Sequence, residues 1–222
     1  MTSGTLSVAD VITRVQRTFG DESSAQVTQA DIIRWINDAQ REAVMQNEGL
    51  LTTTGFVNTV AGTDEYSLPS DCFVLLHVFV KDGASAAYYA VKWLALAEFT
   101  QQIDGWDGAG LSSYPVVFTQ ENRDKLTLFP LPTTSVAQGI KLIYGRYATD
   151  VVDTNSTIDL PVYLHNYVVN YCLLQAYEMD EDWEAAQQKA SQIQGDLDFN
   201  NNRQFWFGRE SYPAISTDFQ DL

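Results

Sequence analysis

The fold is decided by residues 159–176, D-L-P-V-Y-L-H-N-Y-V-V-N-Y-C-L-L-Q-A. Asp159 stands where a helix N-cap would, and Pro161 falls in a first turn, where a missing N–H costs nothing. Tyr163, Leu164, Tyr167, Val168, Tyr171, Cys172, Leu174 and Ala176 leave almost no polar face, so the predicted helix is packed on nearly every side. Beyond the acidic run Glu178, Asp180, Glu181 and Asp182, the residues Trp183, Ala186, Ala190, Ile193 and Leu197 recur at spacings of three and four. That pattern is one narrow apolar stripe on a helix reaching Gln204. The acidic run holds no Gly or Pro, so a bend in one long helix is the alternative to two helices. Two are expected, with the carboxylates offsetting the dipole at the start of the second.

Working outward, the N-terminal end supplies partners for this core. Ser7 caps a helix carrying Val8, Val11, Ile12, Val15 and Phe19 on one face, and Gly20 ends it. Asp21 to Val27 is a polar link. Thr28 with Asp31 has the spacing of a capping box, with Asp in place of the usual Glu. The second helix runs to about Asn47 and buries Ile32, Trp35, Ile36, Ala39 and Ala43. Arg34, Asp38 and Arg41 face outward, and Gly49 lies just past its end. Two amphipathic helices need another apolar surface, so residues 1–50 and 159–204 are predicted to form one bundle.

Between them the period changes to that of strands, giving an inserted β-domain over 51–158. Leu51–Val60 is rich in Thr and Val, and Tyr66, Leu68 and Pro69 lead into the apolar run Phe73–Val80. Tyr88–Leu94 is a further strand, with a short helical piece over Leu96–Gln101. Val116–Thr119 and Lys125–Phe129 flank Glu121, Asn122, Arg123 and Asp124 as a hairpin with a four- or five-residue loop. Ile140, Leu142 and Tyr144 alternate with Lys141 and Gly145 in a last strand. Residues 103–115, with several glycines and Trp106, have the composition of a long flexible loop. The predicted class is therefore α+β: a helical bundle from both ends of the chain, an inserted antiparallel β-domain and an extended C-terminal arm.

The arm is residues 205–222. It loses helical period yet keeps Phe205, Trp206, Phe207, Tyr212, Pro213 and Phe219, with Arg203 and Arg209 beside them. Aromatic residues and arginine are the usual anchors of an interface, whereas disordered tails are poor in aromatics. These eight residues are the candidate partner contacts.

Composition narrows the function. The 222 residues are 45% hydrophobic and carry 29 acidic against 13 basic side chains, a net charge of -16. Such a chain folds, and it lacks the basic groove with which proteins hold nucleic acid. DNA passing close by without adhering is compatible with that charge. No apolar run approaches the ~20 residues of a membrane helix, and Met1–Asp10 has no export signal, so no membrane partner is expected. Cys72 and Cys172 are expected as buried free thiols, and the sequon at Asn155 as a turn.

Catalytic patterns are missing. There is no G-x-S-x-G, Walker loop, G-x-G-x-x-G or H-E-x-x-H. His77 and His165 fit as structural histidines. Cys172 lies two turns from His165, an awkward distance for a dyad on one helix. Asp104, Asp107 and Gly108 lack the ligand spacing of a calcium loop. No catalytic residue, cofactor or metal is expected.

The order of segments carries a resemblance. TQADIIRWINDAQRE (28–42), YSLPSD (66–71), KLTLFPLP (125–132), IKLIYGRY (140–147) and LPVYLHNYVVNYCLLQAY (160–177) together resemble the head-to-tail adaptor proteins of tailed bacteriophages. They are most similar to the podovirus type, including the tail tubular protein A class, over about Ser7 to Gln204. The resemblance implies a virion neck protein made in the host cytoplasm. Such a protein forms a ring of commonly twelve copies beneath the portal, contacts the downstream tail or nozzle protein, and surrounds the DNA path. It carries no catalytic residues across. Within that frame Glu178, Asp180, Glu181, Asp182 and Glu184 are candidates to line the channel, against the plainer expectation that they solvate a helix junction. A β-rich tail or receptor-binding module, holding a glycan or protein on the Trp106 loop, is the alternative, and a hydrolase with an unrecognised acidic pair a third.

Overall fold

The computed structural model describes residues 6–47, 49–81, 87–102, 111–112 and 115–208. In chain order these form α1 (Val8–Phe19), α2 (Gln29–Gln46), β1 (Thr52–Thr59), β2 (Glu65–Ser67), β3 (Cys72–Lys81), β4 (Tyr88–Ala90) and β5 (Lys92–Trp93). There follow α3 (Leu96–Gln102), β6 (Leu111–Ser112), β7 (Val117–Asn122), β8 (Lys125–Phe129), β9 (Leu131–Pro132) and β10 (Val136–Arg146). A 3-10 turn at Val162–Leu164 then leads into α4 (His165–Met179) and α5 (Trp183–Gly208). The chain divides into two compact units: a helical one, Met1–Asn47 with Ala148–Leu222, and a β one, Glu48–Tyr147.

In the helical unit the expected Thr28–Asp31 capping box closes, and the Ser7 cap is itself a box with Asp10. Ser7 and Asp10 exchange two bonds, Asp10 N–H to Ser7 Oγ at 3.1 Å and Ser7 N–H to the Asp10 carboxylate at 3.0 Å; Thr28 and Asp31 do the same. The shorter Asp therefore does the work of the usual Glu. Gly20 ends α1 at φ 89°, a left-handed conformation that favours glycine. The link to α2 is more ordered than its polarity suggests. Asp21 accepts the N–H groups of Val27 (2.9 Å), Ala25 (3.0 Å) and Gln26 (2.8 Å), and these bonds hold its carboxyl down at about 2.

The core helix is α4, which packs against α1, α2 and α5. Leu164, His165, Tyr167, Val168, Val169, Cys172, Leu173 and Ala176 are buried on it or at its start. The expected all-round packing is corrected at three places: Tyr163 is half-exposed, Tyr171 is partly exposed, and Leu173 is buried where Leu174 was expected. Tyr167 has no hydrogen-bond partner for its hydroxyl among the described residues, a cost of about 1–3 kcal/mol that burial of the ring offsets. Asp159 is not the N-cap. The turn begins at Pro161, and the Asp159 carboxylate instead accepts the Thr149 amide at 2.8 Å. Two polar side chains of α2 hold this returning segment. Gln40, 1% exposed, accepts the Asp159 amide at 2.7 Å, and Asn37 exchanges two bonds with the Val151 backbone.

α4 and α5 are separate helices. The break sits at Glu181, whose φ of 60° is left-handed, and the Asp182 carboxylate accepts the Ala185 amide at the start of α5. The buried stripe of α5 is narrower than expected: Ala186, Ile193 and Leu197 are inside, Ala190 and Trp183 outside. α5 also continues four residues past Gln204, to Gly208.

The β unit has two four-stranded sheets, in the orders β1-β10-β3-β4 and β2-β8-β7-β5, and a short parallel pair, β6-β9. Its core joins Tyr66, Val91, Phe118, Leu126 and Leu128 to Cys72, Val78, Val80, Ile140, Leu142 and Tyr144. Inward residues alternate along β10, as predicted. Gly139 is required there, since a Cβ would collide with Thr59. Three expectations change. Tyr88–Leu94 is two strands in different sheets, the chain crossing at Val91, whose amide reaches Val78 while that of Lys92 reaches Val116. The β7-β8 hairpin turns on Arg123 and Asp124 alone, since Asn122 pairs with Lys125. Within the expected loop 103–115, Leu111 and Ser112 pair with Leu131 and Pro132; Trp106, Asp104, Asp107 and Gly108 lie outside the described residues.

The depressed carboxylates set an acid response. Asp10, Asp21 and Asp153, all in the helical unit, are held below the usual range mainly by hydrogen bonds, from Ser7, from the Val27 amide and from Ser156 respectively. A carboxyl whose folded value is the lower one stabilises the fold above about 4, and that contribution is lost as pH falls toward about 2. We expect Asp21→Asn to lower the helical unit's melting temperature at pH 7. The gap to the unaltered chain should narrow between about pH 4 and pH 2; a constant gap would contradict the assignment.

Candidate assembly surfaces

Three regions of the chain are candidates for contact with a partner. The first is the α4–α5 junction. Glu178, Asp180, Glu181, Asp182 and Glu184 are all exposed there, with Met179 and a Trp183 that is 66% exposed. The backbone explains the gathering: only three residues separate α4 from α5, so side chains from the end of one helix and the start of the next share one corner. Of these acids, Asp182 caps α5 and Glu178 accepts from Gln175 at 3.0 Å. The structure thus brings all five candidate residues together.

The second is the far end of α5. Arg203, Phe205, Trp206 and Phe207 lie on its last turns, a correction to the expectation that helical structure stops before Phe205. Arg209, Tyr212, Pro213 and Phe219 lie outside the described residues.

The third was not foreseen. On the outer face of the β1-β10-β3-β4 sheet, the register lines up Phe56 with Lys141 and Phe79, and Lys81 with Tyr88. Phe56 and Tyr88 rings lie 6.3 Å apart. The Lys81 ammonium sits 4.8 Å from the Tyr88 ring centre, and Lys141 lies 5.6 Å from Phe79 and 5.9 Å from Tyr88. The signal was present in Cys72–Lys81, which is apolar at nearly every position: the inward half fills the core, and the outward half needs another explanation.

A sequence model of the family described as SU10 adaptor protein matches residues 6–208, from the first cap to the end of α5. The chain belongs to the SU10 adaptor family. No curated protein matches it. As an SU10 adaptor it is a structural head-to-tail connector of a phage particle, in line with the segment order noted above.

The remaining chemistry of the adaptor is structural. His165 is 2% exposed; its Nδ1 accepts from the Leu6 amide at 3.0 Å, so Nε2–H donates to the Leu160 carbonyl at 3.0 Å. His77 is exposed on the sheet, not held in an apolar interior. Burial raises both the Cys72 and Cys172 thiols, as fits free buried cysteines. Among the described residues no group of His, Cys, Asp and Glu has the arrangement of a metal site, and no helix is long and apolar enough to cross a membrane. The Asn155 sequon sits in a turn where Asp153 accepts the Asn155 and Ser156 amides.

Proposed function

We propose that this adaptor assembles as a closed ring of twelve between the portal and the downstream tail protein of a phage, with genome DNA passing through its centre. The observation that carries the proposal is the single family match spanning the helices, the β insertion and α5. The charge distribution supports it. The helical unit's two segments hold 19 of the 29 acidic and 7 of the 13 basic residues, and the α4–α5 junction holds five acids without a base. A wall of like charge gives DNA nothing to adhere to, since adhesion comes from neutralising phosphates. In this proposal Glu178, Asp180, Glu181, Asp182 and Glu184 face the DNA path. The last turns of α5 and residues 209–222 form an arm that contacts a neighbouring copy or the portal.

A face that fits only a preformed ring need not associate by itself. Light scattering should give a monomer or small oligomer for the isolated chain, and a defined mass increase when it is mixed with portal rings. A stable unrelated assembly such as a trimeric fibre, or no mass increase with portal rings, would contradict the proposal.

A further inference from the structure

Of the edges of the two four-stranded sheets, three are short: β2 and β4 have three residues each and β5 has two. The fourth, β1, has eight, T-T-T-G-F-V-N-T, with no charged residue and no proline. Folded proteins blunt long edges with Lys, Pro or shortness, because a free edge templates pairing with another strand. The β1 register is regular from Thr52 to Val57, its irregularity falling only between Val57 and Thr59. The Arg146 amide donates to the Leu51 carbonyl at 2.8 Å, which fixes the phase of the β1-β10 ladder. Thr53, Gly55 and Val57 therefore turn their amides toward β10, and Thr52, Thr54 and Phe56 turn theirs away. Those outward amides have no hydrogen-bond partner among the described residues.

We propose that the outward edge of β1 receives residues 214–221 of a neighbouring copy as an added strand. This deepens the arm proposal above and rests on it. Ile215, Thr217 and Phe219 alternate with Ala214, Ser216 and Asp218, the period-2 pattern of a strand with one apolar face. Laid beside β1 with that face outward, they extend the row begun by Phe56, a ring 49% exposed. Asp221 falls on the same face, and the cations there are Lys81 and Lys141. Fourteen residues follow Gly208 in the sequence, and at roughly 3.3 Å each an extended segment reaches about 45 Å, far enough to leave its own subunit. Main-chain bonds to the three free amides supply affinity, and the Phe56 row supplies selectivity.

Four measurements test it. A synthetic peptide of residues 209–222 added to the full-length chain should slow amide exchange at Thr54 and Phe56 by at least about tenfold. Unchanged exchange at β1 would overturn the proposal. Thr54→Pro removes only an outward N–H, which an edge strand tolerates, so it should leave the melting temperature within a few degrees yet weaken ring formation on the portal. Deleting Ser211–Leu222 should weaken assembly in the same way. If the deletion disrupts assembly and Thr54→Pro does not, the edge is wrong and the arm stands; if the deletion assembles normally, the arm itself falls. Finally, the double variant Phe56→Cys with Phe219→Cys, oxidised in the assembled ring, should run as covalently linked copies. A link within one chain, or none, would overturn the assignment to a neighbouring copy.

Discussion

Trp35→Ala is expected to destabilise the helical unit by about 3–5 kcal/mol, the usual cost of emptying a buried indole or phenyl site. Trp35 is 5% exposed on α2, where it lies on one buried face with Ile32, Ile36 and Ala39. Typical domains have only ~5–15 kcal/mol of total stability, so this variant should begin to unfold well below the unaltered chain in urea. The loss should appear in the helical far-UV signal, because the β unit has its own core of Leu126, Leu128, Ile140 and Leu142. Trp183→Ala supplies the internal control. Although its spacing put it on the apolar stripe of α5, Trp183 stands mostly in solvent, and its loss should fall within about 0.5 kcal/mol. Equal costs for the two tryptophans would contradict the packing described for α2 and α5.

The second large effect concerns DNA. Replacing Glu178, Asp180, Glu181, Asp182 and Glu184 by Lys puts five cations where five anions stand in every subunit. If these side chains face the DNA path, each phosphate they neutralise adds a counterion-release contribution, with log affinity falling by ~0.9 per contact for each tenfold rise in salt. Particles with this variant should assemble, because the five residues are exposed and make few internal bonds, but should retain DNA during ejection. Raising the salt should restore release. Ejection that matches unaltered particles at all salt concentrations would remove these residues from the channel wall and leave them as a solvated helix junction.

What could be read from the sequence were features set by neighbours along the chain. The Ser7 cap and the Thr28–Asp31 box are local chemistry, and both form as predicted, Ser7 gaining Asp10 as a reciprocal partner. The apolar run of 163–176 and the alternation of 140–144 are also set by neighbours along the chain, so they too were legible. Partners remote in sequence were not. Nothing in α2's own pattern marks Gln40 as a core residue; it is buried because its side-chain oxygen accepts the amide of Asp159, more than 100 residues away. Asp159 had the right position for a cap, yet Thr149 competes for its carboxylate. At Val91 the strand leaves one sheet for the other, a change that no periodicity in Tyr88–Leu94 records. Of the candidate contacts, the acidic corner was readable because five carboxylates are nearly consecutive. The Phe56, Phe79, Tyr88, Lys81 and Lys141 face was hidden, since strand register, not sequence distance, assembles it.

Single-particle electron microscopy of the adaptor mixed with portal rings should show a closed ring of copies coaxial with the portal, an open channel through both, and the α4–α5 corners on the channel side. Portal particles without added density, or copies bound off the axis with no continuous channel, would contradict the proposed ring.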